Sequence, residues 1–147
     1  MFRSTRKTSL TLAVLVLSTA AVVAKERPHS FKGSGQFAAN QVDFANIGTS
    51  THLGKFTELG SITSLVPGGG PGVFLVTASS TLTAANGDEL FEEISGELNF
   101  LTGVGTATVT YTGGTGRFVG ATGSADLHLQ LGAGGSFTFR GDGVIDY

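Results

Sequence analysis

From Ser30 to Tyr147 the chain follows one rule: apolar residues recur at every second position, and glycine breaks the run at short intervals. A period of two is the strand period, because successive side chains leave a strand on opposite faces. Asp88–Phe100 shows it most clearly. Leu90, Glu92, Ile94, Gly96, Leu98 and Phe100 share one side, and Glu89, Phe91, Glu93, Ser95, Glu97 and Asn99 the other. By the same reading Phe31, Gly33, Gly35 and Phe37 lie together, as do Phe74, Val76, Ala78, Ser80 and Leu82. A longer stretch groups His52, Gly54, Phe56, Glu58, Gly60, Ile62, Ser64 and Val66. Val42, Phe44 and Ile47 form a looser segment. Later come Ala107, Val109 and Tyr111, then Val119 through Leu131, then Phe137, Phe139, Gly141, Gly143, Ile145 and Tyr147.

Turns punctuate these runs at Pro67–Gly72, Asn86-Gly87, Thr102-Gly103 and Gly132–Gly135. Asn-Gly tolerates positive φ at both central positions and is the strongest hairpin signal of the set. About eight antiparallel strands on short connections suit an up-and-down barrel or a sandwich. Glycines at alternate strand positions, where barrel walls bend and pack closely, favour the barrel. So do strong strand patterns at both ends of the domain, which can pair and remove the open edges.

Residues 1–24 read as a signal peptide. Arg3, Arg6 and Lys7 precede an apolar run from Leu10 to Val23, and Val22-Val23-Ala24 supplies small residues for cleavage. The run is too short for the roughly 20 residues that a spanning helix requires, so no stable membrane span is expected after cleavage. Residues 25–29 read as a linker and 30–147 as the barrel, giving an exported, secreted or periplasmic protein. Beyond residue 24, six Lys and Arg stand against all 11 acidic residues, a net charge near −5. That balance carries no basic patch and argues against nucleic acid as a partner. Without cysteine the domain rests on its apolar core, with no disulfide or thiolate metal site.

Gly113-Gly114-Thr115-Gly116-Arg117-Phe118, followed by Gly120-Ala121 and Gly123, resembles the late hairpin of the allene oxide cyclase and dirigent superfamily. His52–Thr57 and Thr81–Asp88 are similar to segments of small exported bacterial barrels of that type. The likeness covers about residues 30–147 and rests on turns and glycines. It implies an eight-stranded antiparallel barrel related to the calycins, often trimeric in plant members, with an apolar cavity. In that family the cavity cyclises an oxylipin or orients phenoxy radicals. No motif transfers a catalytic residue to this chain.

The inward faces nominate Phe56, Phe74, Val76, Leu90, Ile94, Phe100, Phe137 and Phe139 as ligand-lining residues, with Glu58 and Glu92 as polar contacts. Either carboxyl, if enclosed, would have a raised pKa and could serve as acid, base or anchor. The alternative places each at a barrel mouth, hydrated or paired with Lys55, Arg117 or Arg140. The glycine run lacks the following helix and Gly-Lys-Ser/Thr of a phosphate loop. His52 and His128, read as surface positions, lack metal-binding spacing, and Asp88, Glu89, Glu92, Glu93 and Glu97 lack calcium-loop grammar. Polar outer faces and the absence of Trp do not suit a lipid-embedded barrel. No metal or cofactor is expected. The leading reading is a non-catalytic module for a small apolar ligand; the rival is an isomerase or cyclase.

Overall fold

The structure, a computed structural model, describes residues 25–147; the expected leader lies outside the described residues. Eight strands follow in order: β1 (Arg27–Phe37), β2 (Asp43–Ser50), β3 (Gly54–Pro67), β4 (Val73–Ala84), β5 (Glu89–Asn99), β6 (Val104–Gly114), β7 (Thr122–Leu131) and β8 (Ser136–Asp146). Each pairs antiparallel with the next, and β1 pairs with β8 to close the barrel. Full closure leaves no unpaired edge. Because β1 starts at Arg27, the segment Arg27–His29 belongs to the wall and not to a linker.

Regular alternation carries the inner face as expected along β4, β5 and β8, where buried positions fall at every second residue. It fails in β3. Pairing passes from Ile62↔Ala78 to Ser64↔Thr77, leaving Thr63 as an extra, unpaired residue. A bulge of one residue reverses the facing of all that follows. Ser64 and Val66 therefore share the outer side with Thr77 and Leu75, contrary to the sequence reading. Ile47 also points outward, and Phe44 and Asn46 fill the inner side of β2.

The interior is built from phenylalanine set against glycine. Phe31 pairs with Gly141, Phe44 with Gly60, Phe56 with Gly48, Phe137 with Gly35 and Phe139 with Gly33, each directly across the ladder. Every one of those rings lies where the partner's Cβ would be. A small barrel is too narrow for two large side chains at one level, so the ring of one strand covers the bare backbone of its neighbour.

The two ends differ. At the end where β1 begins and β8 finishes, a 3-10 turn (Gly116–Phe118) folds Phe118 inward with no exposure, in one buried cluster with Leu53, Leu90 and Ile145 and edge-on to Tyr147. That turn replaces the extended path expected after Gly116, and it turns Val119 out to solvent.

Candidate functional site

Inside the wall, polar side chains from five adjacent strands meet in apolar surroundings. Asn46 on β2 stands opposite Glu58 on β3, Ser80 on β4 opposite Glu92 on β5, and Glu92 opposite Tyr111 on β6. Direct partners share a face, so the ladder itself brings these groups into one band. Asn46 Nδ2 donates to Glu58 Oε2 at 2.7 Å, and Ser80 Oγ donates to Glu92 Oε1 at 2.9 Å. The two carboxyls are close enough to hydrogen-bond each other. Both are buried, Glu58 at 4% and Glu92 at 6% exposure.

No cation joins them: the ion pair among the described residues is Arg117–Asp88 at 3.6 Å, on the surface. The expectation that Glu58 and Glu92 are hydrated or paired with Lys55, Arg117 or Arg140 is thus overturned. Burial pushes the Glu92 carboxyl well above the ordinary carboxylate range, and the neighbouring Glu58 charge pushes it further. Burial also raises Glu58, against the opposing hydrogen bonds from Asn46, Ser80 and Glu92. Two carboxyls in contact in a low-dielectric interior cannot both ionise without strong repulsion, so the pair holds a proton between them.

His29, from the start of β1, extends the band toward the plugged end. Its ring lies edge-on to Tyr111 at 5.4 Å and stacks on His52 at 5.3 Å. Burial, with a smaller contribution from His52, lowers its pKa to about 4, so it is neutral at pH 7. His52, read from sequence as an isolated surface residue, is locked in place. Its Nε2 faces the Pro28 carbonyl at 2.8 Å and its Nδ1 the Tyr147 hydroxyl at 3.0 Å. Since the carbonyl can only accept, Nε2 carries the proton and Nδ1 accepts from Tyr147. His128 stays on the outer face of β7, opposite Arg140.

A cavity of about 100 Å³ runs along this band. Of the residues nominated from sequence, Phe56, Glu58, Val76, Glu92, Ile94, Phe137 and Phe139 line it. Leu90 is buried instead in the plug. Phe74 lies beyond the cavity, edge-on to Phe100 at 5.2 Å. Phe100 is outside the barrel at 49% exposure, because β5 ends at Asn99, whose side-chain oxygen accepts from the Leu101 and Thr102 amides and starts the turn. Asn46, Tyr111 and His29 went unnominated. Asn46 sat in the segment without clear alternation, and His29 in the expected linker.

Four buried polar atoms in the band have no partner among the protein's own groups: both ring nitrogens of His29, Asn46 Oδ1 and the Tyr111 hydroxyl. An unpaired buried hydroxyl is costly. Tyr111→Phe is therefore expected to stabilise the barrel by about 1 kcal/mol, read as a higher urea midpoint at unchanged slope. A lower midpoint would show that the hydroxyl is satisfied.

A wider hollow on the outer wall is lined by Lys32, Lys55, His128 and Arg140 with several threonines. It is open to solvent and gathers none of the four unpartnered atoms. Scans against protein-family models, curated proteins and solved structures found no match for this chain.

Proposed function

We propose that the barrel binds a small, largely apolar molecule bearing one polar group, held inside by the Glu58–Glu92 pair. The observation that carries this reading is the band of unpartnered polar atoms and proton-sharing carboxyls within an aromatic-lined cavity. Such groups are costly to bury for stability alone, and they converge where an occupant would sit. The cavity is well below the roughly 300–1,000 Å³ of sites for drug-sized ligands. A phenol-sized occupant therefore suits it better than a long oxylipin. The closed eight-stranded wall and the Gly113–Gly123 hairpin support placing the chain with the allene oxide cyclase and dirigent barrels, and the leader-like residues 1–24 support export.

Calorimetry with phenol and toluene tests the proposal, because the two differ by one hydroxyl. Phenol is expected to bind about tenfold more tightly, and Glu92→Leu to erase the difference. Equal affinities in the unsubstituted protein, or no binding of either, would overturn it.

The proton shared by the carboxyls also favours a second reading, acid–base isomerisation of such a molecule. A neutral carboxyl can donate while its ionised neighbour accepts. Turnover that follows the ionisation of the pair, and is lost in both Glu58→Gln and Glu92→Gln, would establish it.

A further inference from the structure

On the outer wall the ladder gathers cations that the sequence scatters. His128 on β7 stands directly opposite Arg140 on β8, and Arg140 opposite Lys32 on β1. Lys32 in turn faces Thr49 on β2, and Thr49 faces Lys55 on β3. Direct partners share a face, so these five exposed residues form one row across five strands. Three of the six Lys and Arg beyond residue 24 stand in it. Two residues along each strand lies a second outward row, Gln130, Thr138, Ser34, Ile47 and Thr57. Between the rows Gly33 and Gly48 pair with each other and with the inward-pointing Phe139 and Phe56, so the wall presents bare backbone there. The wide outer hollow runs along this strip and is lined by every residue of both rows.

Nothing in the wall calls for this row. Lys32 and Arg140 are like charges directly opposed across a ladder, which weakens it. Among the described residues neither they nor Lys55 has a carboxylate within ion-pair distance. Asp126 and Asp142 lie one outward position further along β7 and β8, on the side of the row away from the hollow. Glu97 and Glu89 bound the strip at its ends, the first opposite Thr106 beyond His128, the second opposite Thr83 beyond Thr57. No Asp or Glu lines the hollow itself.

We infer that this strip binds a linear acidic polysaccharide. Its carboxylate or sulfate groups lie against Lys32, Lys55 and Arg140, and its hydroxyls against Ser34, Thr57, Thr138 and Gln130. Cations on one side and uncharged hydrogen-bonding groups on the other suit a polymer that carries both kinds of group along its length. Four strand spacings set the row at about 20 Å from His128 to Lys55, and the two rows lie about 7 Å apart. That is the span of an oligosaccharide and not of a single sugar. Nucleic acid is disfavoured, because no aromatic face is turned to the strip to stack a base. A protein partner is disfavoured because Ile47 is the one large apolar side chain in the two rows, with no pocket for an anchor. The inference rests on the outer wall and is independent of what occupies the cavity.

Calorimetry at low salt with polygalacturonate and with dextran sulfate tests it, neutral dextran serving as the uncharged comparison. At least one acidic polymer is expected to bind, dextran is not, and affinity should fall as salt is raised. Which polymer binds tells carboxylate from sulfate. Lys32→Gln combined with Arg140→Gln is expected to weaken binding about tenfold. Lys25→Gln combined with Arg117→Gln removes the same net charge away from the strip and should change affinity by less than about twofold. All four positions are exposed, so neither pair should disturb the fold. Equal loss in both double variants would assign binding to net charge and overturn the inference. Binding of neither acidic polymer, or tighter binding of oligothymidylate than of either, would overturn it too. So would self-association abolished by the Lys32→Gln and Arg140→Gln pair, which would give the strip to a second copy of the chain.

Discussion

As pH rises beyond the ordinary carboxylate range the barrel is expected to lose stability, at up to about 1.4 kcal/mol per pH unit for each carboxyl that stays protonated only in the folded state. Glu92→Gln should remove most of that loss. A carboxyl whose pKa is raised by folding contributes its full stability below the unfolded value. That contribution disappears as pH climbs through the folded value, because the unfolded chain releases its proton first. Glu92 and Glu58 are both of this kind. His29 acts in the opposite direction. Its pKa falls from 6.5 to about 4 on folding, so stability declines as pH drops across that interval. Between about pH 4.5 and 6.5 the His29 slope opposes that of the carboxyls and makes the decline shallower. Beyond that window the decline is unopposed. Thermal melts at stepped pH, run on the unsubstituted protein and on Glu92→Gln, would show the fall in the first and its reduction in the second. Identical pH profiles for the two would mean that the Glu92 carboxyl meets a cation or water in solution.

Gly96→Ala should destabilise the barrel by about 3 kcal/mol, at the upper end of overpacking costs. Gly96 faces inward on β5, and an added Cβ would collide with the Thr106 carbonyl oxygen and the Ala107 Cα on β6. Those are backbone atoms of a paired strand, which cannot swing aside as a flexible side chain can. Gly69→Ala provides the contrast. A methyl there meets nothing within 4 Å, and the backbone has no positive φ. That substitution should stay within about 0.5 kcal/mol. Urea unfolding of both variants checks this: a Gly96→Ala protein as stable as Gly69→Ala would mean that the wall makes room for the added methyl.

How much of this was legible depended on whether the ladder stayed regular. Where it did, as in β4 and β8, alternation alone named Val76, Ala78, Phe137 and Phe139 as inward. The bulge at Thr63 left no mark, since threonine is an ordinary strand residue, and the facing of Ser64 and Val66 was lost with it. Phe100 continued the alternation of β5, and only the amides captured by Asn99 end that strand. Two carboxylates on inner faces could be read from the sequence, but their contact could not. It depends on the register that sets β3 and β5 on either side of Ser80. The glycines were readable as a barrel signal, although which phenylalanine covers which glycine is a property of strand pairing.

The pairing of β1 with β8 has a consequence for how the chain reaches this state. Seven of the eight ladders join neighbours in sequence and can form as local hairpins. The last aligns ten residue pairs between the two ends of the described chain, from Arg27↔Ile145 to Gln36↔Ser136. Contacts of such separation carry the largest chain-closure entropy and slow folding. Until that seam forms, two complete strand edges are open at once, and edges of this kind pair readily with those of another molecule. Crowded refolding should therefore divert chains into aggregates at this last step, whereas a barrel already sealed has no end from which to unzip.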